Sequence, residues 1–289
     1  MARVRDQGTD MTATNEYGGQ MAPPQATLSP RRVRGLAIAL VKPLAGKEQD
    51  FSDWFGRKHA PGIGSRLKGY RTAQLFRATK LRAPRDTPYD YLAAYEVDPD
   101  QCQHPASLLD GAPGIAHVGA LPQTGASRPV AGNCVALVFT AISDRIVAPA
   151  EQDLPPASAG ELPPLSEVGE VSIVFSKPVA GQESEYNHWY SNEHVPEVVG
   201  RLKGYNSGQR FRLADLDPPQ PSAYRYLAFY EISAERSRAS VGWLQKVGRP
   251  AAAAAAAAGH GKELSLSPAL HDDRVTWIYS AVTRCFEAP

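Results

Sequence analysis

Cysteine is scarce: Cys102, Cys134 and Cys285 are all there is among 289 residues. They are too few and too irregularly spaced for a disulfide framework or a zinc site, and they read as ordinary thiols of a reducing compartment. Long apolar runs are missing, none approaching the ~20 residues that span a bilayer. The start of the chain has no apolar segment of the secretory kind, so a cytoplasmic protein without a membrane partner is expected. An excess of either charge is missing as well. Lys and Arg number 31 against 30 Asp and Glu, a net charge of +1, which leaves no electrostatic footprint for nucleic acid. The glycine-rich dinucleotide fingerprint, the Walker loop, the G-x-S-x-G elbow and the H-E-x-x-H zinc motif are all absent. With 43% hydrophobic residues the chain can build a real core, and a small-molecule or protein partner is what remains.

What the chain does contain is itself, twice. Asp50 to Tyr70 reads DFSDWFGRKHAPGIGSRLKGY, and Glu185 to Tyr205 reads EYNHWYSNEHVPEVVGRLKGY. The offset is 135 residues without a gap, and over residues 37 to 97 it gives 25 identities in 61 positions. Two copies of one folding unit with a common origin are the consequence.

In each copy the hydrophobic period changes in the same order. LAIALV from Leu36 is a short apolar run closed by Lys42-Pro43, a buried strand. Phe51, Trp54, Phe55 and His59 then follow at i, i+3, i+4 and i+8, one face of a helix that Pro61 and its neighbouring glycines are expected to end. Tyr70 onward alternates, with Tyr70, Thr72, Gln74 and Phe76 expected on one strand face. Tyr89 to Val97 predicts a third strand, and Asp98 or Asp100 can cap a second helix. Cys134 to Ile142 predicts a fourth strand.

The second copy repeats this with Val171 to Ser176, a helix over Glu183 to His194, Tyr205 to Leu213, Tyr224 to Ile232, a second helix, and Val275 to Val282. The order β-α-β-β-α-β is that of the ferredoxin-like unit. The fold class expected is therefore α+β, two tandem ferredoxin-like repeats forming an intramolecular, pseudo-dimeric α+β barrel, because each sheet needs a cover on its helix-free face. Residues 1–33 read as a disordered leader, 34–146 and 169–289 as the repeats, and 147–168 as a Pro/Ala-rich linker. The run Ala251 to Ala258 is assigned no function.

The pattern of a short strand, then F/Y-x-x-W-F/Y-x-x-x-H-x-P, then L-K-G-Y opening the next strand, resembles the dimeric α+β barrel superfamily, in particular its EthD-like members. That superfamily contains cofactor-free oxygenases of aromatic polyketides, cyclases, isomerases, lyases and haem enzymes. The tandem build with an Ala/Arg/Pro-rich composition is similar to the oxygenases of actinobacterial polyketide pathways. The resemblance implies a pocket in each copy between the sheet and its own helices, one of the two expected open and the other filled.

The helical spacing agrees, since His59 and His194 lie on the sheet-facing side at the last turn of their helices. An imidazole there suits a general base. It equally suits a cap on the last helix carbonyls. Trp54 and Trp189 would wall the site, with Tyr205 and Tyr226 beside it, while Tyr186 and Tyr190 make the second copy the more polar one. Tyr190 is either a donor to a substrate oxygen or a packed aromatic. Gln74 and Gln209 either face the pocket or bond between sheets, and Glu96 and Glu231 could pair with Arg77 and Arg212.

The function expected is oxygenation of an electron-rich aromatic by a cofactor-independent enzyme, in which a base forms the enolate or phenolate and dioxygen is the co-substrate. Reduced flavin or haem, and a homodimer of the chain, stay open. A lyase, isomerase or cyclase working without dioxygen, and a non-catalytic carrier, are the alternatives.

Overall fold

The computed structural model describes residues 33–79, 87–102, 105–116, 133–148, 168–202, 204–217, 219–220, 222–233, 264 and 266–287. Residues 1–32 of the expected leader, most of the expected linker, the alanine run and the second helix of the second copy lie outside the described residues, whereas Val33, expected in the leader, is buried in the core.

Eight strands close into a barrel. They are β1 (Gly35–Val41), β2 (Thr72–Ala78), β3 (Tyr91–Val97), β4 (Cys134–Ala141), β6 (Val168–Ser176), β7 (Tyr205–Leu213), β8 (Tyr226–Ser233) and β9 (Val275–Ala281). Two short strands, β5 (Ile146–Val147) and β10 (Phe286–Glu287), add to β7 and β2. The order is β2-β3-β1-β4-β7-β8-β6-β9, and β9 pairs back with β2. Every neighbouring pair in this ring is antiparallel. Strands four places apart, such as β2 and β7, therefore run the same way, and equivalent residues of the two halves arrive at the same end of the barrel.

Because the barrel wall is covered on both faces, its strands need not alternate in polarity. In β1, Leu36, Ile38 and Leu40 join the core inside the barrel, while Ala37, Ala39 and Val41 join the core beneath the helix of the first half. Interior side chains fill most of the lumen, among them Phe139, Phe175 and Trp277.

The helix of each half is longer than its sequence suggested. In the first, α1 (Glu48–Trp54) passes into a π-helical turn, Phe55–His59, a 3₁₀ turn, Ala60–Gly62, and α2 (Ile63–Arg66). In the second, α3 (Glu183–Trp189) passes through a π-helical turn, Tyr190–His194, into α4 (Val195–Arg201). Pro61 and Pro196 do not end the helix as expected. Each sits in the first turn of the next segment, where a missing N–H is no loss. The stop comes at Gly69 and Gly204, whose φ of 85° and 94° no side-chain-bearing residue adopts readily.

Two further expectations are corrected. No helix capped by Asp98 or Asp100 forms over the described residues after β3. Asp98 instead accepts from Arg34 and Gln101 and closes a turn, and only a 3₁₀ segment at Pro105–Ser107 follows. Tyr70 and Tyr205 also do not share a face with Gln74 and Gln209. A register shift between Tyr205 and Ser207 turns Tyr205 to the helix side, against Tyr230. Tyr70 lies before β2 and packs likewise on Tyr95.

Candidate functional site

The sequence-predicted residues fall into three places. His59 and Trp54 belong to the helix-sheet core of the first half. His194, Tyr190, Trp189, Tyr186, Tyr205 and Tyr226 gather in that of the second half. Gln74 and Gln209 lie on the opposite side of the sheet, inside the barrel.

In the first half the surroundings are apolar. Phe51, Phe55 and Leu75 are wholly buried there, and His59 is 3% exposed. The imidazole stacks on Trp54 with centroids 4.6 Å apart, and its Nε2 lies 3.0 Å from the Tyr95 hydroxyl. An Arg66 Nη2 stands 3.5 Å from Nδ1 and donates to the His59 carbonyl at 2.6 Å. A guanidinium can only donate, so the Nδ1 lone pair faces it and Nε2 carries the proton given to Tyr95. Burial, and then the Arg66 charge, push the His59 pKa down to about 3.

In the second half the same positions have turned polar. Tyr186, Tyr190 and Arg210 stand where the first half has Phe51, Phe55 and Leu75. Arg210 is 0% exposed. Its guanidinium lies 4.4, 4.9 and 5.2 Å from the ring centroids of Tyr190, Tyr186 and Tyr226. It donates to the Asn187 carbonyl at 3.2 Å, to Asn187 Oδ1 at 3.0 Å and to Ser191 Oγ at 3.0 Å. No carboxylate pairs with it among the described residues, and its Nε is buried without a hydrogen bond. Glu183 joins only at the rim, accepting from Tyr226.

A buried cation with no counter-ion is costly, and here three ring faces and neutral oxygens are what hold it. His194 is half-buried, its ring 4.7 Å from Trp189 and edge-on to Tyr190 at 4.9 Å. Burial raises the pKa of Tyr186, Tyr190 and Tyr230, with the Arg210 charge pulling each back in part, so all three remain protonated donors.

Among the described residues both helix-sheet cores are lined mostly by buried side chains, and they differ in polarity. A small cavity, about 30 Å³, does open at one end of the barrel interior. Both halves contribute to it, with Gln74, Phe76 and Ala94 facing Gln209, Phe211 and Phe229. At its rim Glu231 pairs with Arg145, not with the expected Arg212, which instead meets Asp215.

Two buried arginines of these places escaped the sequence reading. Arg210 was detectable, because it is the one place on its strand face where the repeat exchanges an aliphatic side chain for a charge. Arg145 gave no signal, since its equivalent in the second half is Cys285 and the two arrive on loops of no recognisable pattern.

No cluster of three or more His, Cys, Asp or Glu able to hold a metal occurs among the described residues. No helix among them is long and apolar enough to cross a membrane. No family model matches the chain, and no curated protein matches it in sequence. Solved structures do resemble it. An anthrone oxidase-like protein superposes with a TM-score of 0.51 at 9% identity, over 90% of this chain and 95% of that one. Two proteins named as suspected monooxygenases give TM-scores of 0.41 and 0.44 at 8% and 6% identity. They come from Lactobacillus acidophilus NCFM and Fusobacterium nucleatum subsp. nucleatum ATCC 25586, and cover 86% and 88% of this chain and 94% of each of theirs. At such identities the likeness speaks for fold alone, and the fold is the closed antiparallel α+β barrel shared with the anthrone oxidase-like protein.

Proposed function

We propose that the chain is a tandem pair of ferredoxin-like units, EthD-like in pattern, working as a cofactor-independent oxygenase of an electron-rich, polyketide-like aromatic. For the tandem build, the support is the strand order β4-β1-β3-β2 in one half and β9-β6-β8-β7 in the other. For the chemistry, the observation that carries the reading is Arg210, a buried cation without a carboxylate among the described residues, set among tyrosines of which Tyr190 also touches His194.

Oxygenation of a phenol, hydroquinone or anthrone needs a base and a stabilised anion. His194 takes the proton. Arg210, with the protonated Tyr190 and Tyr230, holds the negative charge of the enolate or phenolate, and Trp189, Tyr186, Tyr205 and Tyr226 position the ring. The anion then supplies the electrons that reduce dioxygen. For an anthrone the balance is one CH₂ and O₂ giving one C=O and H₂O, which requires no bound cofactor and no outside reductant. Arg210 is wholly enclosed behind the Tyr190–His194 turn, so substrate entry requires that turn to yield, which suits the poorer hydrogen bonding of a π-helical segment. His59, held neutral on Tyr95 with a pKa of about 3, is the structural counterpart.

The test is oxygen consumption with an anthrone and with a hydroquinone. His194→Ala lowers kcat by about 10²- to 10⁴-fold, and Arg210→Leu by about 10²- to 10³-fold. Arg210→Leu keeps the Tm or raises it, because leucine is what the first half carries and removing a buried charge is often stabilising. Equal turnover without oxygen replaces the reading by a lyase or cyclase. No turnover by the wild type leaves a carrier, and full activity in both variants sinks the assignment of the site.

A further inference from the structure

We infer that Asn187 and Glu183 are positioning residues of the Arg210 core, with Glu183 serving as the counter-ion of the buried guanidinium at a distance, through Asn187 and Tyr226. The inference rests on the reading of Arg210 as the cation that holds a substrate anion. Glu183 opens α3, Asn187 follows one turn later on the same face, and Tyr226 opens β8. Arg210 Nη2 donates to Asn187 Oδ1 at 3.0 Å, Asn187 Nδ2 donates to the Tyr226 hydroxyl at 3.0 Å, and that hydroxyl donates to Glu183 Oε1. Every donor points from the cation toward the carboxylate. Each group thus turns its negative end to Arg210 and its positive end to Glu183, and the bonds polarise one another.

The phenol in the chain senses both ends. Burial raises the Tyr226 pKa, the Asn187 hydrogen bond lowers it, Glu183 raises it and the Arg210 charge lowers it. The first half has no such chain. Leu75 stands at the place of Arg210 and Ser52 at that of Asn187, and the Tyr91 hydroxyl donates to the Glu48 main-chain carbonyl at 3.3 Å. The chain occurs where the buried charge occurs.

A buried cation is costly, yet a carboxylate set directly against it would cancel the charge that an anionic substrate has to meet. Held two neutral groups away and exposed at the rim, Glu183 stays hydrated and steadies the guanidinium without covering it. The grip of Asn187 and Ser191 on Nη1 and Nη2 leaves the buried Nε without an acceptor. Nε is the donor left for the anion.

Urea unfolding of the full chain tests the coupling, and oxygen consumption with an anthrone tests its use. Glu183→Gln lowers the unfolding midpoint of the wild type and leaves the midpoints of Arg210→Leu and of Tyr226→Phe unchanged, since either change removes the link. Asn187→Asp sets a carboxylate on the guanidinium itself. It keeps the midpoint or raises it, makes Glu183→Gln neutral, and lowers kcat by about 10²-fold, as loss of an anion-stabilising donor does. A purely structural role for Asn187 would not give that split. An equal effect of Glu183→Gln in the wild type and in Arg210→Leu, an effect that persists in Tyr226→Phe, or an Asn187→Asp variant as active as the wild type would each overturn the inference. A wild type without turnover counts against the oxygenase reading, and the midpoints then decide the coupling by themselves.

Discussion

His59 and His194 occupy the same place in two copies of one helix and meet different surroundings. His59 is enclosed by Trp54, Phe55 and Tyr95, and its pKa is lowered from 6.5 to about 3. Its folded value lies below its unfolded value, so on acidification the unfolded chain takes up the proton first. The stability that His59 contributes is complete above about pH 6.5 and is lost as the pH falls toward 3. Within that window each pH unit removes about 1.4 kcal/mol. Urea unfolding at a series of acidic pH values should show this slope in the wild type and a shallower one, by one proton, in His59→Gln, which keeps a donor for Tyr95. An unchanged slope would mean that the imidazole titrates freely. Arg210 stands at the other extreme: its charge cannot be shed, so the second half must enclose it with tyrosine rings.

At the scale of elements, the two helices meet their sheets through different side chains, with Val195 standing where the first half has Ala60. Gly208 of β7 stands where β2 has Ala73, and a Cβ there would lie 2.8 Å from Tyr230 Cδ1 and 2.9 Å from Val195 Cγ1. The start of α4 thus rests on bare backbone. Gly208→Ala should cost about 1–3 kcal/mol by overpacking, read as a lowered midpoint in denaturant, and Ala73→Gly in the first half should show no matching gain. So close a contact is invisible in a hydrophobic pattern. The elements themselves were legible: the run from Leu36 to Val41, the face of Phe51, Phe55 and His59, and the alternation after Thr72 all survive in the structure. The side on which Tyr70 and Tyr205 lie was not, because one irregularity at the start of a strand reverses every face assignment before it. The site was legible in part. The tyrosines and His194 assemble as their helical spacing required, whereas Gln74 and Gln209 serve a different cavity, and Arg210 shows its importance only when the copies are laid side by side.

At the scale of the whole molecule, the barrel is closed by two seams, β4 with β7 and β2 with β9, each of three residue pairs. Behind them lies an interior core to which both halves contribute Phe and Leu side chains. Neither half can bury its share alone. Chains separated between residues 150 and 166 should therefore aggregate when expressed singly and recover as a one-to-one complex when expressed together, which size-exclusion chromatography would report. A well-folded, monomeric single half would contradict this. Equivalent residues meet at the same end of the barrel, and that has a consequence for how such a protein can change. A barrel made from two identical chains receives every substitution in duplicate, so an unpaired guanidinium, or the exchange of an interior phenyl ring for a methyl group, would have to be tolerated at two places at once. In a single chain each enters once. Arg210 has Leu75 as its untouched twin, and Ala94 has Phe229, so each half keeps sound what the other has given up.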